Sequence, residues 1–261
     1  MGLNRWTPSQ LKLAIHLYCR LPFGQLHSRH PEIIELAGLI GRTPSALAMK
    51  LVNFASLDPD IVARGRKGLD GASKLDREIW AQFHADWEGL ALECSGLLAA
   101  LRSEHHMPAD DLDGDEAGDG LALADFTGAT RQVLVEQRIK QQFFRRAVLS
   151  SYRGRCCMSG LSEPRLLLAS HIVPWRADQA NRLNPANGLC LSALHDRAFD
   201  QGLMTLEDDF TITLSEQLRQ RDEPFVREVL WPLAGRQIEL PERFLPSVEF
   251  LAWHRQQVFV G

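Results

Sequence analysis

The sequence predicts an α+β protein built from two domains, and three observations lead to this prediction. Apolar side chains recur at helical spacing through the first hundred residues. A short acidic segment rich in glycine and aspartate follows, at residues 103–128. Between Arg165 and Asp200, two short apolar strands precede a short helix. The length of 261 residues suits one or two domains.

The predicted N-terminal domain, residues 1–102, is helical. Thr7 and Pro8 are typical of a helix start. Two further helices are expected over 31–37 and 45–54, with Gly41 in the turn between them. The residues expected to face the core are Leu11, Ile15, Tyr18, Leu47, Leu51 and Phe54. This outline suits a helix-turn-helix that reads a DNA groove, or a helical hairpin that only packs its own core.

The segment 103–128 is predicted to be a flexible linker, because it lacks the periodic apolar residues that would stabilise an ordered structure. Residues 101–128 hold eight acidic side chains and one basic one, whereas the whole chain has a net charge of −4. The acidity of the chain therefore comes from this stretch. It is no argument against a nucleic-acid partner for the rest.

Several classes of protein are excluded by composition. No run approaches the roughly 18 apolar residues of a membrane helix, and the N-terminus lacks a signal-peptide pattern. We therefore expect a cytoplasmic protein without a membrane partner. Five cysteines form an odd and sparse set, so a disulfide framework is not expected.

The stretch from Arg131 to Arg155 predicts a basic amphipathic helix, with seven basic residues and a single acid. Its basic face is either simply solvated or contacts DNA phosphates without reading sequence. The residues proposed for DNA contact are Arg145, Arg146, Arg153 and Arg155.

Polar residues with catalytic potential lie between Arg165 and Asp200. A short apolar strand ends at His171 and is stopped by Pro174. A polar loop over 176–187 leads to a second strand, 188–192, which runs directly into a helix over 193–200. Trp175 is interpreted as a packing residue, with base stacking as the alternative.

Three motifs resemble the HNH (ββα-metal) endonucleases, and more narrowly their restriction-endonuclease-like subgroup. They are Tyr152-Arg-Gly-Arg-Cys156, Ser170-His-Ile-Val-Pro-Trp175, and the run from Asn187 to Asp200. The resemblance covers about residues 131–258 and implies a C-terminal HNH nuclease domain over 129–261. It implies hydrolysis of DNA phosphodiester bonds to 5′-phosphate and 3′-hydroxyl ends, in restriction or defence against foreign DNA.

The resemblance also assigns roles to residues. His171 is the expected general base, and Asn187 holds the loop that orients it. His195 is expected to be catalytic, and His195, Asp196 and Asp200 are the candidate metal ligands, with the principal ligand left open. Hard oxygen ligands favour one divalent ion, Mg²⁺ or Mn²⁺.

Two departures from the family pattern matter. Ser170 precedes the base histidine, where an Asp or His ligand is usual, and the paired Cys-x-x-Cys motifs of a structural zinc are absent. We therefore expect no structural zinc. Ser170 also favours an alternative function, a DNA-binding regulator with a disabled HNH domain. Because a duplex has two strands and one site cuts one of them, a homodimer is a further expectation.

Overall fold

The computed structural model describes residues 5–63, 65, 71–108 and 128–261. The chain divides into two compact units, Met1–Ala147 and Val148–Gly261. The first is helical in its described residues, and the second combines helices with two small antiparallel sheets, which confirms the α+β class. Within the predicted linker, residues 109–127 lie outside the described residues. No helix in the described part of the chain is long and apolar enough to span a bilayer.

The first unit is built from amphipathic helices around a shared apolar core. Its helices are α1 (Pro8–Arg20), α2 (Pro31–Leu39), α3 (Pro44–Ala55), α4 (Pro59–Ala63), α5 (Lys74–Ala85), α6 (Trp87–Glu104) and the first part of α7 (Gly128–Ser151). Thr7 caps α1 in a reciprocal capping box with Gln10, as the Thr-Pro start predicts. All six residues predicted to face the core are buried, which confirms the helical periodicity.

Helices α2 and α3 have the predicted helix-turn-helix outline. Gly41 adopts a φ of 65° in the turn, a conformation that favours glycine, and Thr43 caps α3. Lys50, the one basic residue of α3, is buried, and its Nζ lies 2.9 Å from an Asp76 carboxylate oxygen on α5. The Lys50 side chain is therefore part of the buried core rather than of an exposed basic surface. Recognition of a DNA groove by α3 stays a prediction.

Helix α7 belongs to both units. Phe143 stacks on His16 of α1 at a centroid distance of 5.3 Å, and Lys140 Nζ lies 2.6 Å from Glu88 of α6. Residues 128–147 thus pack with the first unit, whereas the sequence-based boundary at 129 assigned the whole helix to the nuclease domain. An amphipathic pattern identifies the buried stripe of a helix but not the element that covers it.

The second unit contains a hairpin-like ββα arrangement. Strand β1 (Leu167–His171) pairs antiparallel with β2 (Gly188–Ser192), with His171 opposite Gly188. Helix α8 (Ala193–Asp200) follows β2 directly, because the Ser192 side chain caps it by accepting the amide hydrogen of His195.

This unit also contains a second hairpin and two further α-helices: β3 (Met204–Leu206), β4 (Ile212–Leu214), α9 (Glu216–Arg219) and α10 (Val248–Gln257). Gly202 joins α8 to β3 with a φ of 68°. A Cβ at this position would lie 2.1 Å from the Val258 carbonyl oxygen, so only glycine fits.

Candidate active site

His171 occupies the last position of β1 and lines a cavity of about 430 Å³. Its Nε2 lies 2.9 Å from the backbone carbonyl oxygen of Arg182. A carbonyl can only accept, so Nε2 carries the proton and the neutral ring has its lone pair on Nδ1. Burial lowers the pKa of His171, and the hydrogen bond to Arg182 opposes this only in part. The ring is therefore neutral near pH 7, as a proton acceptor must be.

Asn187 braces the backbone immediately after His171. Its side chain is fully buried, and its Oδ1 accepts the amide hydrogen of Val173 at 2.8 Å. Its Nδ2 donates to the carbonyl oxygens of Val173 at 3.1 Å and Asn181 at 3.4 Å. The side-chain amide of Asn187 thus links the start of the loop between β1 and β2 to its end, and it restrains the backbone just after β1.

Asp196 and Asp200 line the same cavity as His171. They lie four residues apart on α8, so they project from one face of the helix. Burial raises the pKa of Asp196, against the smaller effects of the Ser170 hydroxyl and Arg197. Burial and the neighbouring Asp196 raise the pKa of Asp200 to about 6. Two carboxylates that repel each other in one cavity provide a site where a cation would be stabilised.

Ser170 lines the same cavity as these carboxylates, at the position where the resemblance to HNH endonucleases leads us to expect an Asp or His ligand. Its Oγ is buried and makes no well-formed hydrogen bond within the described residues, although it is near enough to Asp196 to lower the pKa of that carboxyl. No three His, Cys, Asp or Glu side chains of the described residues form a group that could hold a metal. The protein therefore offers two carboxylates, a set that suits Mg²⁺, which keeps several waters.

The structure does not bring His195 to this cavity. Its ring is buried on the other face of α8, with Nδ1 at 3.1 Å from Ser192 Oγ and 3.3 Å from Cys156 Sγ. His195 does not line the cavity with Asp196, because adjacent helical residues point about 100° apart, and its expected catalytic and metal-binding roles stay predictions. Asp196 faces the cavity instead.

The thiol of Cys156 completes this buried contact. Burial raises the pKa of Cys156, but hydrogen bonds to His195 and Ser159 outweigh it and bring the pKa to about 6. The neighbouring Cys157 thiol is fully buried, and burial raises its pKa well above the ordinary value. All five cysteines lie in the described part of the chain as buried residues outside any disulfide.

The four arginines proposed for DNA contact fall in different surroundings. Arg146 lies 3.5 Å from Glu32 within the first unit, and Arg145 is half-buried there. In the second unit, Arg153 is ion-paired with Glu239, and Arg155 is exposed. Arg153 and Arg155 follow the end of α7, where Arg153 adopts a φ of 56°.

Sequence reasoning missed two contributions to the site. The Arg182 carbonyl that fixes the His171 ring is a backbone group, so no residue type in the sequence could indicate it. Trp175, interpreted from the sequence as a packing residue, packs edge-on against the His171 ring at a centroid distance of 5.6 Å and lines the cavity, a partner that the sequence did not indicate. The Ser-His-Ile-Val-Pro-Trp spacing was the available signal.

Comparison with known families agrees with this geometry. Residues 156–207 match a family described as HNH endonuclease. The match spans β1, the loop, β2 and α8, so the chain contains an HNH domain, as the motif resemblance predicted. Its restriction-like subgroup stays a prediction. A search of curated proteins gave no significant match.

Proposed function

We propose that the HNH domain is a metal-dependent DNA endonuclease that leaves 5′-phosphate and 3′-hydroxyl ends. The observation that carries this proposal is that His171, Asp196 and Asp200 line one cavity. A general base and a pair of hard oxygen ligands are the two components that phosphodiester hydrolysis requires. The family match supports nuclease activity in general.

His171 acts as the general base in this proposal. Its Nε2–H is held by the Arg182 carbonyl, so Nδ1 takes the proton from the water that attacks phosphorus. The lowered pKa of His171 keeps the ring neutral before the reaction. Asn187 is a positioning residue, because it restrains the backbone at Val173, two residues after His171.

Asp196 and Asp200 are the residues that would hold one Mg²⁺ or Mn²⁺ ion. The fit is supported by their oxygen donors and by the raised pKa values, which a cation would lower again. When bound, the ion would stabilise the charge that develops on the phosphate and the departing 3′ oxygen. Ser170 provides a buried hydroxyl beside these carboxylates.

Contacts with the DNA backbone are assigned to the basic residues Arg145, Arg146, Arg153 and Arg155. Arg155 is the best supported, since it is exposed and, unlike Arg146 and Arg153, forms no carboxylate ion pair within the described residues. Arg146 and Arg153 would exchange their partners Glu32 and Glu239 for phosphate. Such contacts strengthen binding without reading sequence.

The test is nicking of supercoiled plasmid by the full chain with Mg²⁺ or Mn²⁺. We expect His171→Ala to slow nicking by about 10²–10⁴-fold, because the general base is lost. Asp196→Asn should require a higher metal concentration, because one ligand is weakened. His84→Ala, a surface histidine of α5, is the matched control and should nick normally. A wild-type chain that binds plasmid but never nicks it with either metal would contradict the proposal.

We place this activity in restriction or defence against foreign DNA, and we propose that two copies of the chain act together on a duplex. Both ideas rest on the family resemblance and on the need to cut two strands. Sequenced cleavage ends on methylated and unmethylated genomic DNA test the first, and sedimentation of the free and DNA-bound protein tests the second.

A further inference from the structure

Two residues of the loop after β1, Trp175 and Arg182, contact each other, and both contact His171 at the end of the strand. The Arg182 carbonyl oxygen lies 2.9 Å from His171 Nε2, and the Arg182 guanidinium carbon lies 5.2 Å from the centre of the Trp175 ring. The Trp175 ring in turn meets His171 at an interplanar angle of 83°. Each of the three residues therefore contacts the other two.

The Arg182 carbonyl needs an anchor, because it belongs to the long loop 172–187 rather than to a strand. The Arg182 side chain supplies one by lying over the Trp175 ring and by donating from Nε to the Gln179 carbonyl oxygen at 3.1 Å. Asn187 holds the start of this loop at Val173 and also donates to the Asn181 carbonyl oxygen beside Arg182. The Trp175–Arg182 contact adds to this restraint at the residue whose carbonyl accepts from His171.

We propose that the Trp175–Arg182 stack is a positioning device that fixes the tautomer and ring orientation of His171. By holding the Arg182 carbonyl in place, the stack keeps the proton on Nε2 and directs Nδ1 away from that carbonyl. The kinetic consequence rests on the proposed nuclease function, whereas the tautomer itself does not. One face of Trp175 is already covered by Arg182, which disfavours base stacking on that face.

The first experiment measures the His171 tautomer by long-range ¹H–¹⁵N correlation in the full chain, with His171→Ala used to assign the ring signals. We expect the wild type to show the Nε2–H form alone, and Trp175→Leu and Arg182→Ala to show a mixture of both forms. Arg165→Ala, an exposed arginine paired with Glu163, is the matched control and should resemble the wild type.

His254 provides an internal test of folding in the same spectra. It is buried, and its two ring nitrogens lie 2.9 Å from Thr205 Oγ1 and 3.1 Å from the Phe199 carbonyl oxygen. Although His254 lines the same cavity, its ring nitrogens contact groups outside the Trp175–Arg182 stack, so its tautomer should be unchanged in both variants. If the His254 tautomer is unchanged and His171 still shows only the Nε2–H form, the proposal is overturned. Arg182→Lys, which retains a cation on Trp175, should keep the Nε2–H form, and Trp175→Leu alone decides the proposal if Arg182→Ala does not fold.

The second experiment separates positioning from DNA binding by steady-state nicking. We expect Trp175→Leu and Arg182→Ala to lower kcat by about 10- to 100-fold with KM nearly unchanged, because a misplaced base slows only the chemical step. A raised KM with normal kcat would make these residues DNA contacts and would overturn the proposal. If the wild type does not nick DNA at all, the proposed function fails while the tautomer measurement still decides this inference.

Discussion

The chemistry of the site depends on a few side chains whose charges are set by burial. Asp200 lies at the exposed end of α8 yet has a pKa of about 6, since burial of its carboxyl and the adjacent Asp196 both oppose ionisation. His171 has its pKa lowered by burial. At neutral pH both groups are therefore deprotonated, which is the state that cation binding and proton abstraction require.

Nicking should fall as the pH is lowered through 6. In the proposed mechanism, protonation of Asp200 would remove a metal ligand near pH 6, and protonation of His171 would remove the base at a pH below its ordinary pKa of 6.5. Calorimetric titration isolates the first effect: the Kd for Mg²⁺ should weaken about tenfold per pH unit below 6. Asp200→Asn should bind Mg²⁺ weakly with a flatter pH dependence. A wild-type Kd that is constant from pH 5 to 7 would exclude Asp200 as a ligand.

Asp200 should also lower stability when no metal is bound. Its folded-state pKa is above the unfolded value, so the folded state holds the proton more tightly and stability falls as the pH rises from about 4 to 6. At pH 7.5 in EDTA, Asp200→Asn should raise the Tm by about 2–4 °C, equivalent to about 1 kcal/mol after solvent screening. Mg²⁺ should raise the Tm of the wild type but not of the variant. A lower Tm for the variant in EDTA would contradict this account.

At the scale of elements, the buried pair of Lys50 and Asp76 joins α3 to α5. The Asp76 carboxylate accepts from Lys50 Nζ and also from the backbone amide of Ser73 at the start of α5. Trp6 lies over the same ammonium at 5.4 Å. The pair thus connects the tertiary packing of α3 with the capping of α5.

Removal of one partner should be costly, because the other charge stays buried without compensation. We expect Lys50→Met to lower the free energy of unfolding of the first unit by about 3–5 kcal/mol, measured by urea denaturation. Lys74→Met removes a lysine whose side chain is 93% exposed and which pairs with Glu78 at 3.7 Å, and it should cost less than about 0.5 kcal/mol. Equal effects of the two variants would show that burial of the pair has no energetic consequence.

For the whole molecule, the decisive element is α7, which continues from one compact unit into the other. Phe143 is buried against His16, Phe83 and Trp87 of the first unit. The first part of α7, which carries part of the predicted basic face, therefore also belongs to the apolar core of the first unit. Loss of the first unit would therefore expose the apolar face of α7 around Phe143.

Deletion of residues 1–102 should leave the Phe143 face of α7 uncovered. We expect the fragment 103–261 to bind a hydrophobic dye and to self-associate in gel filtration, since an exposed apolar stripe promotes association. The fragment 148–261, which lacks this stripe, is the matched control and should bind less dye. A fragment 103–261 that stays monomeric without binding dye would show that this half of α7 does not need the first unit.

The local signals of the sequence were sufficient for the elements and for part of the site. Capping residues and apolar periodicity predicted α1, α2 and α3 and the core-facing residues of α1 and α3, because these depend on neighbours within a few positions. The strand–loop–strand–helix order and the motif residues His171, Asn187, Asp196 and Asp200 were likewise available from the sequence. The match over residues 156–207 agrees with the HNH motifs.

Only the tertiary structure distinguished Asp196 from its neighbour His195, because the direction of a helical side chain depends on which face of α8 packs against the core. The hydrogen bond from His171 to the Arg182 carbonyl could not be predicted from the sequence either, since every residue has a carbonyl and the path of a loop depends on contacts with distant residues. Sequence by itself determined which chemical groups this protein has and their order along the chain. Tertiary packing decided which of these groups contact one another, because residues far apart in the sequence come together only when the apolar faces of their helices and strands pack against each other.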